Sequence, residues 1–201
     1  MRITTTEQLR SLYAEPTERA RRKQLDKLDR HCKAFIALSP FVVLATADAA
    51  GRVDATPRGG APGFVVVQDD HTLLLADSPG NNRLDALQNL IENPQAGLLF
   101  MIPGVDETLR VNGRVELSTD PADVAVCRDE RRAPKVVLRM TVQEAFLHCA
   151  KAFMRSRLWQ GDARVARDRL PTMNQMIHDQ LGLDTPPEPQ AEMVQRYQQD
   201  L

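Results

Sequence analysis

The stretch Thr72-Leu-Leu-Leu-Ala-Asp-Ser-Pro-Gly-Asn-Asn-Arg-Leu-Asp-Ala-Leu-Gln-Asn-Leu-Ile91 sets an apolar run, a Pro-Gly turn and an amphipathic segment in succession. The run 73–76 is short enough for a buried strand, and Leu84, Leu87 and Ile91 recur at helical spacing. The stretch therefore reads as a strand that delivers the chain to a helix N-terminus. Asn82 stands three residues before Asp85, an arrangement in which a short polar side chain and an acid satisfy a helix's first free amides. Ser78, Asn81, Asn82 and Arg83 are then expected at the positive end of the helix dipole. A hydroxyl, two carboxamides, free amides and a guanidinium in that position suit a phosphate. The same residues also suit a capped surface helix with a solvated Arg83, so the neighbouring segments have to decide.

Upstream, residues 41–46 form a β-rich run, 48–51 a turn and 53–56 a returning strand. Pro57-Arg58-Gly59-Gly60-Ala61-Pro62-Gly63 is expected to break regular pairing, because proline lacks a ladder amide and glycine permits close backbone approach. A second pair follows, 64–67 and 72–76, joined by 68–71. Short connections of this kind belong to an antiparallel sheet. Downstream, Asn93-Pro94 ends the helix and 95–102 is another apolar strand. In 108–117, Leu109, Val111, Val115 and Leu117 fall on one phase and Arg110, Asn112, Arg114 and Glu116 on the other, giving one buried and one polar face. Gly113 inside that strand predicts a bulge or a closely approaching backbone. Residues 121–131 read as a short helix with proline in its first turn, and 135–140 as a seventh strand.

Six or seven short strands around one internal helix predict a mainly β protein, a small antiparallel barrel with flanking helices. No Gly-x-Gly-x-x-Gly follows a strand, which disfavours a doubly wound dinucleotide fold. We read 1–201 as one domain: an N-terminal helical region at 1–40, a barrel at 41–140 and a C-terminal helical region at 141–201. Within the first of these, 17–38 reads as one helix preceded by Pro16 and stopped before Pro40. Within the last, 142–159 reads as a helix that gathers His148, Lys151 and Arg155 on one side and Phe146, Cys149, Ala150 and Phe153 on the other. Its charges equally suit a solvated amphipathic surface. Trp159 follows as a core plug or a stacking surface. Residues 170–181 read as a further helix, 185–189 as a stiff linker and 191–201 as a polar terminal helix.

Composition narrows the function. The chain has 201 residues, 26 basic against 27 acidic, so no global field draws it to nucleic acid or to anionic lipid. Aromatic residues make up 4%, too few for a base-stacking platform. The widely spaced Cys32, Cys127 and Cys149 suggest neither a zinc ribbon nor a disulfide framework, and a reducing cytoplasmic setting is expected. The N-terminal residues contain no apolar signal region, and no run of eighteen apolar residues occurs, so neither export nor membrane spanning is expected. His31, His71, His148 and His178 lack metal-ligand spacing, and no Gly-x-Ser-x-Gly elbow is present. What remains is a set of basic and amide groups at strand ends and helix starts: Arg58, Ser78, Asn81, Asn82, Arg83, Arg110, Lys151 and Arg155. Such a set suits a phosphorylated, hydrogen-bonding cofactor that carries the redox chemistry itself.

The motifs Ser39-Pro-Phe-Val-Val-Leu-Ala-Thr46, Pro57-Arg58-Gly59, Pro62-Gly63-Phe64, Pro79-Gly-Asn-Asn-Arg83, Asn93-Pro94, Phe100-Met-Ile-Pro-Gly104 and Glu107-Thr-Leu-Arg-Val-Asn-Gly113, closed by His148-Cys-Ala-Lys-Ala-Phe-Met-Arg-Ser-Arg-Leu-Trp159, together resemble the pyridoxamine 5′-phosphate oxidase-like, FMN-binding split-barrel superfamily. They are similar to one bacterial branch of it, apart from the true oxidases. The resemblance implies a homodimer of split barrels with two FMN sites in the subunit interface. It implies that Arg58 and the Ser78 to Arg83 turn bind the phosphate and ribityl chain from one subunit. It further implies that Arg110 and the Lys151 to Trp159 segment, with Arg155, approach the flavin from the other. The oxidases' basic strand pattern is not present at 57–59, nor is their C-terminal arginine and histidine pattern recognisable after Trp159. The expected activity is hydride transfer through FMN to or from an unidentified small molecule, with no metal. The alternatives are a non-catalytic flavin carrier or sensor, and a deazaflavin- or haem-binding relative.

Overall fold

The computed structural model describes residues 2–128 and 132–199. They divide into two compact units, Met1–Arg155 and Ser156–Leu201. The first opens with two short helices, α1 (Thr6–Arg10) and α2 (Glu18–Arg22), followed by α3 (Arg30–Leu38). The single helix expected over 17–38 is thus two, separated by an extended strap. In that strap Leu25 exchanges backbone hydrogen bonds with Ala145 (3.0 and 2.8 Å), and Leu28 donates its amide to Asp70 O at 2.8 Å. Asp29 restarts the helix by accepting from the amides of His31 and Cys32 at 3.0 and 2.8 Å. Those bonds hold its carboxyl below the ordinary aspartate range.

The strands follow as β1 (Phe41–Ala47), β2 (Val53–Gly59), β3 (Val65–Val67) and β4 (Thr72–Ala76). Then come α4 (Asp85–Glu92), β5 (Gln95–Met101), β6 (Thr108–Ser118), α5 (Pro121–Val126), β7 (Val137–His148) and α6 (Lys151–Ser156). All seven strands join one sheet in the order β2-β1-β5-β6-β7-β4-β3, and every pairing is antiparallel. The sheet curls over its own apolar face: Leu44 of β1, Leu98 of β5, Val115 of β6, Leu138 and Met140 of β7 and Leu73 and Leu75 of β4 line a common interior. Cys32 and Ile36 of α3 and Ala86, Leu87 and Leu90 of α4 complete the core. Burial pushes the Cys32 thiol up to about 11, so it packs as a small apolar group and not as a nucleophile.

Three expectations change here. Pro57-Arg58-Gly59 does not interrupt pairing, because these residues complete β2 opposite Val43, Val42 and Phe41. β2 is an edge strand, where a missing ladder amide costs nothing. The seventh strand does not stop at 140, and the helix expected over 142–159 is not formed. β7 runs on to His148, paired with β6 throughout, and only α6 is helical beyond it. The apolar face of α4 is Ala86, Leu87 and Leu90, with Leu84 and Ile91 exposed. The end of the helix expected over 121–131 lies outside the described residues, as do the last two residues of the expected terminal helix.

The second unit holds two 3₁₀ turns, Gly161–Ala163 and Arg167–Arg169, then α7 (Met173–Leu181) and α8 (Gln190–Gln198). Glu188 ties the linker between these helices to both, accepting from Asn174 Nδ2 at 3.1 Å and from Arg196 Nη2 at 2.8 Å. Among the described residues no helix is long and apolar enough to cross a membrane. Nor do three His, Cys, Asp or Glu side chains gather there in a group able to hold a metal ion.

Gly113 marks a bulge, as its place in the strand predicts: the β6–β7 register shifts between Asn112 and Gly113. A β-carbon at Gly113 would stand 2.2 Å from Thr141 O and 3.0 Å from Met140 Cγ. Gly113→Ala is expected to destabilise the fold by about 1–3 kcal/mol through forced separation of the two strands, read as a lower midpoint in urea unfolding.

Candidate functional site

β2 alternates between an exposed row, Val53, Ala55 and Pro57, and a half-buried row, Asp54, Thr56 and Arg58. Arg58 pairs with Val42, Val42 with Phe100 and Phe100 with Leu109. All three partners are wholly buried, so Arg58 stands on the inner face of the sheet at its β2 edge. Its guanidinium reaches the end of β4, with Nη2 3.8 Å from Asp77 Oδ1. Nη1 donates only long bonds, to Thr56 Oγ1 at 3.3 Å and Pro57 O at 3.4 Å. Arg58 Nε is buried and finds no acceptor among the described residues. The arginine is therefore anchored but under-used as a donor. Burial pushes the Asp77 carboxyl above its ordinary range, and the Arg58 charge offsets that only in part.

Asp77 leads directly into the exposed segment 78–83, so the fold brings Arg58 to the base of the turn containing Ser78, Asn81, Asn82 and Arg83. These residues do not cap the helix as the Asn82–Asp85 spacing predicts. Asn82 and Leu84 both take left-handed backbone, φ 58°, which turns the chain before α4 begins at Asp85. Leu84 occupies the N-cap without a side-chain hydrogen bond. Asn81 Oδ1 instead accepts from the Arg83 amide at 3.1 Å, and Arg83 Nε donates to Asp85 Oδ2 at 2.8 Å. Both partners of that ion pair are largely solvated, so it constrains Arg83 weakly.

Arg110 lies elsewhere. It pairs with Leu99, Leu99 with Val43 and Val43 with Pro57, the row beside that of Arg58 and on the opposite, outer face. One chain therefore does not gather Arg58 and Arg110 on one surface. Around Arg110 the extended β7 assembles groups that the helical reading of 142–159 conceals. Glu144 Oε1 accepts from Arg110 Nη2 at 3.3 Å and from Asn112 Nδ2 at 2.9 Å, and Glu144 Oε2 accepts from Gln24 Nε2 at 2.6 Å. The Arg110 guanidinium carbon sits 4.3 Å from the Phe146 ring centroid and Lys23 Nζ 5.0 Å from it, both cation–π contacts. The His148 ring lies 5.0 Å from the same ring, tilted by 50°. Burial lowers the His148 pKa below its ordinary value, and the Arg110 and Lys23 charges lower it further.

His148 therefore ends a strand and does not share a helix face with Lys151 and Arg155, both of which are exposed on α6. Trp159 is half-buried and belongs to the second unit. Asp77, Lys23, Gln24, Glu144 and Phe146 are additions to the residues picked out in the sequence. Period-two alternation of Glu144 and Phe146 with the already noted His148 was the signal that could have found two of them.

One seven-stranded antiparallel sheet curled over its own apolar face, with flanking helices, is a split β-barrel. The profile of the family described as pyridoxamine 5'-phosphate oxidase matches residues 28–149, more than half of the chain, and the chain belongs to that family. Among solved structures it is similar to a single-residue variant of HupZ from Group A Streptococcus, at 19% identity and a TM-score of 0.50, over 60% of this chain and 98% of that one. A Clostridium acetobutylicum protein related to general stress protein 26 matches at 13% identity and a TM-score of 0.45, over 59% and 85% of the two chains. An FMN-binding protein from Syntrophomonas wolfei matches at 13% identity and a TM-score of 0.44, over 58% and 83%. A search of curated proteins gives no match.

Because Asp77 binds its proton more tightly folded than unfolded, its contribution to stability is largest at low pH and is lost as pH rises through its raised value. Asp77→Asn is expected to raise Tm at pH 7, because the amide has no charge to desolvate. The gain should vanish below the ordinary aspartate pKa, which melts at neutral and acidic pH will check.

Proposed function

We propose that this protein binds FMN and, as a homodimer, uses it to pass a hydride between a reductant and a small organic molecule. The observation that carries the reading is Arg58, an inner-face guanidinium with an orphaned Nε, poised at the base of the 78–83 turn. A phosphate there would accept the charge-assisted bonds that Thr56 and Pro57 take only at long range. Ser78, Asn81, Asn82 and Arg83 would hold the phosphate and the ribityl hydroxyls, and Asn81 already folds the turn by accepting from the Arg83 amide. Membership of the pyridoxamine 5'-phosphate oxidase family supports the cofactor. When bound, FMN supplies a ring that accepts or donates a hydride, and the chain's part is to bind and orient it.

A second copy is proposed because one chain separates Arg58 from Arg110. The exposed apolar row of β2, Val53 at 85% exposure with Ala55 and Pro57, supports a partner on the outer face, beside exposed Ala45 of β1. In such a dimer Arg110, Lys151, Arg155 and Trp159 of one subunit would approach the cofactor held by Arg58 of the other.

A visible absorption spectrum of the purified protein, with mass spectrometry of what heat releases, is the test. Released FMN supports the reading, and a colourless protein that fails to take up added FMN overturns it. Bound FMN that neither NADH nor NADPH reduces would make the protein a flavin carrier. Arg58→Ala and Arg83→Ala are each expected to weaken FMN binding roughly 10- to 100-fold, as loss of a charged hydrogen bond does. Fluorescence titration of the variants checks this, and unchanged affinity removes that residue from the site.

A further inference from the structure

We propose that Lys23, Arg110 and His148, gathered around the Phe146 ring on the outer face of the sheet, form a binding point for a compact oxyanion, the carboxylate or phosphoryl group of a small ligand. Three separate elements converge there. The strap brings Lys23, whose Nζ donates to Leu147 O at 2.9 Å. β6 brings Arg110, and β7 brings Phe146 and His148. One ring thus has three nitrogen-bearing groups within 5.0 Å of its centroid, two of them permanent cations.

The one acid in the cluster is already engaged. Glu144 spends Oε1 on Arg110 and Asn112 and Oε2 on Gln24, an arrangement that fixes Arg110 over the ring. With His148 neutral the set Lys23, Arg110 and Glu144 keeps one net positive charge. Arg110 Nε remains buried and without an acceptor among the described residues. Arg110 and Glu144 are only partly exposed, at 41% and 23%, so an anion here meets a partly desolvated cation and not a fully hydrated one.

Coupling to protons follows from the geometry. His148 is held neutral by burial and by the fields of Arg110 and Lys23, while Glu144 opposes those fields from its own strand. A bound oxyanion cancels the two cations and so favours imidazolium. By reciprocity the site binds anions more tightly as pH falls, each event raising the affinity for the other. The assignment of this anion as part of the molecule that exchanges a hydride with FMN rests on the flavin reading; the binding itself does not.

The test is a proton NMR titration of the four histidines in the cofactor-free protein, with His148 assigned by the signal lost in His148→Gln. Titrations are run in chloride, inorganic phosphate and acetate at equal ionic strength. The expected result is a rise of at least half a pH unit in the His148 midpoint in phosphate or acetate relative to chloride. His31, His71 and His178 should stay in place, and the anion-dependent rise should be lost in Arg110→Gln and Lys23→Gln. A response to phosphate alone identifies a phosphoryl group, and to acetate alone a carboxylate. An unmoved His148, an equal shift of all four histidines, or a rise that survives both substitutions overturns the proposal. FMN uptake by the same sample is scored separately, so a protein that takes up FMN without the His148 response refutes only this site, and the converse refutes only the flavin reading.

Discussion

The outer face depends on one backbone contact, the approach of Thr141 O to the place where a β-carbon of Gly113 would be. At this point Gly113 pairs with Val142 but Asn112 pairs with Glu144, so Gln143 is the extra residue of a bulge. Before it, Leu138, Met140 and Val142 are the inward residues of β7; after it, Ala145 is. One inserted residue inverts the parity of a strand. Without it, Glu144, Phe146 and His148 would face the apolar interior, and the whole polar cluster around Arg110 would have to be buried.

The same bulge explains why this segment misleads in sequence. Perfect alternation would have marked β7 as a strand, but the skip at Gln143 makes apolar Val142 and Ala145 three residues apart, a helical spacing. β6 remained legible because its own alternation is unbroken, with Gly113 standing in an inward position. The hairpins were legible from turn residues and β-branched runs, but the end of β2 was not, because Pro57 and Gly59 have the chemistry of strand breakers and are tolerated only at a sheet edge. The strap at 23–28 was not, since its extended form comes from pairing with Ala145 far along the chain and not from any local preference. Likewise Asn82 has the chemistry of a cap, and only the two left-handed residues that follow from the turn's path place it outside the helix.

That strap also ties the N-terminal region to the candidate chemistry. β4 pairs with β7 only as far as Thr141, which leaves the second half of β7 with a free edge. Leu25 closes that edge at Ala145, and in doing so sets Gln24 against Glu144 and Lys23 against Phe146. An edge strand must be covered to avoid pairing with other chains, and here the covering segment also delivers a cation and an amide to the polar cluster. Protection of the sheet and assembly of the cluster are thus one structural event.

The interior of the sheet offers no partner to a polar ligand. The common interior is lined by Leu44, Leu73, Leu75, Leu98, Val115, Leu138 and Met140, with no charged or hydrogen-bonding side chain among them. A phosphorylated cofactor placed there would lose its hydration without recovering hydrogen bonds, at a cost of several kilocalories per group. Arg58 reaches the inner face only at the β2 rim, where Asp77 supplies a polar neighbour, and Arg110 is held on the opposite surface by Glu144. A flat ring spanning both groups needs a wall that a single sheet does not provide. In the proposed homodimer the exposed apolar row Val53, Ala55 and Pro57 would be the surface through which a second subunit provides it.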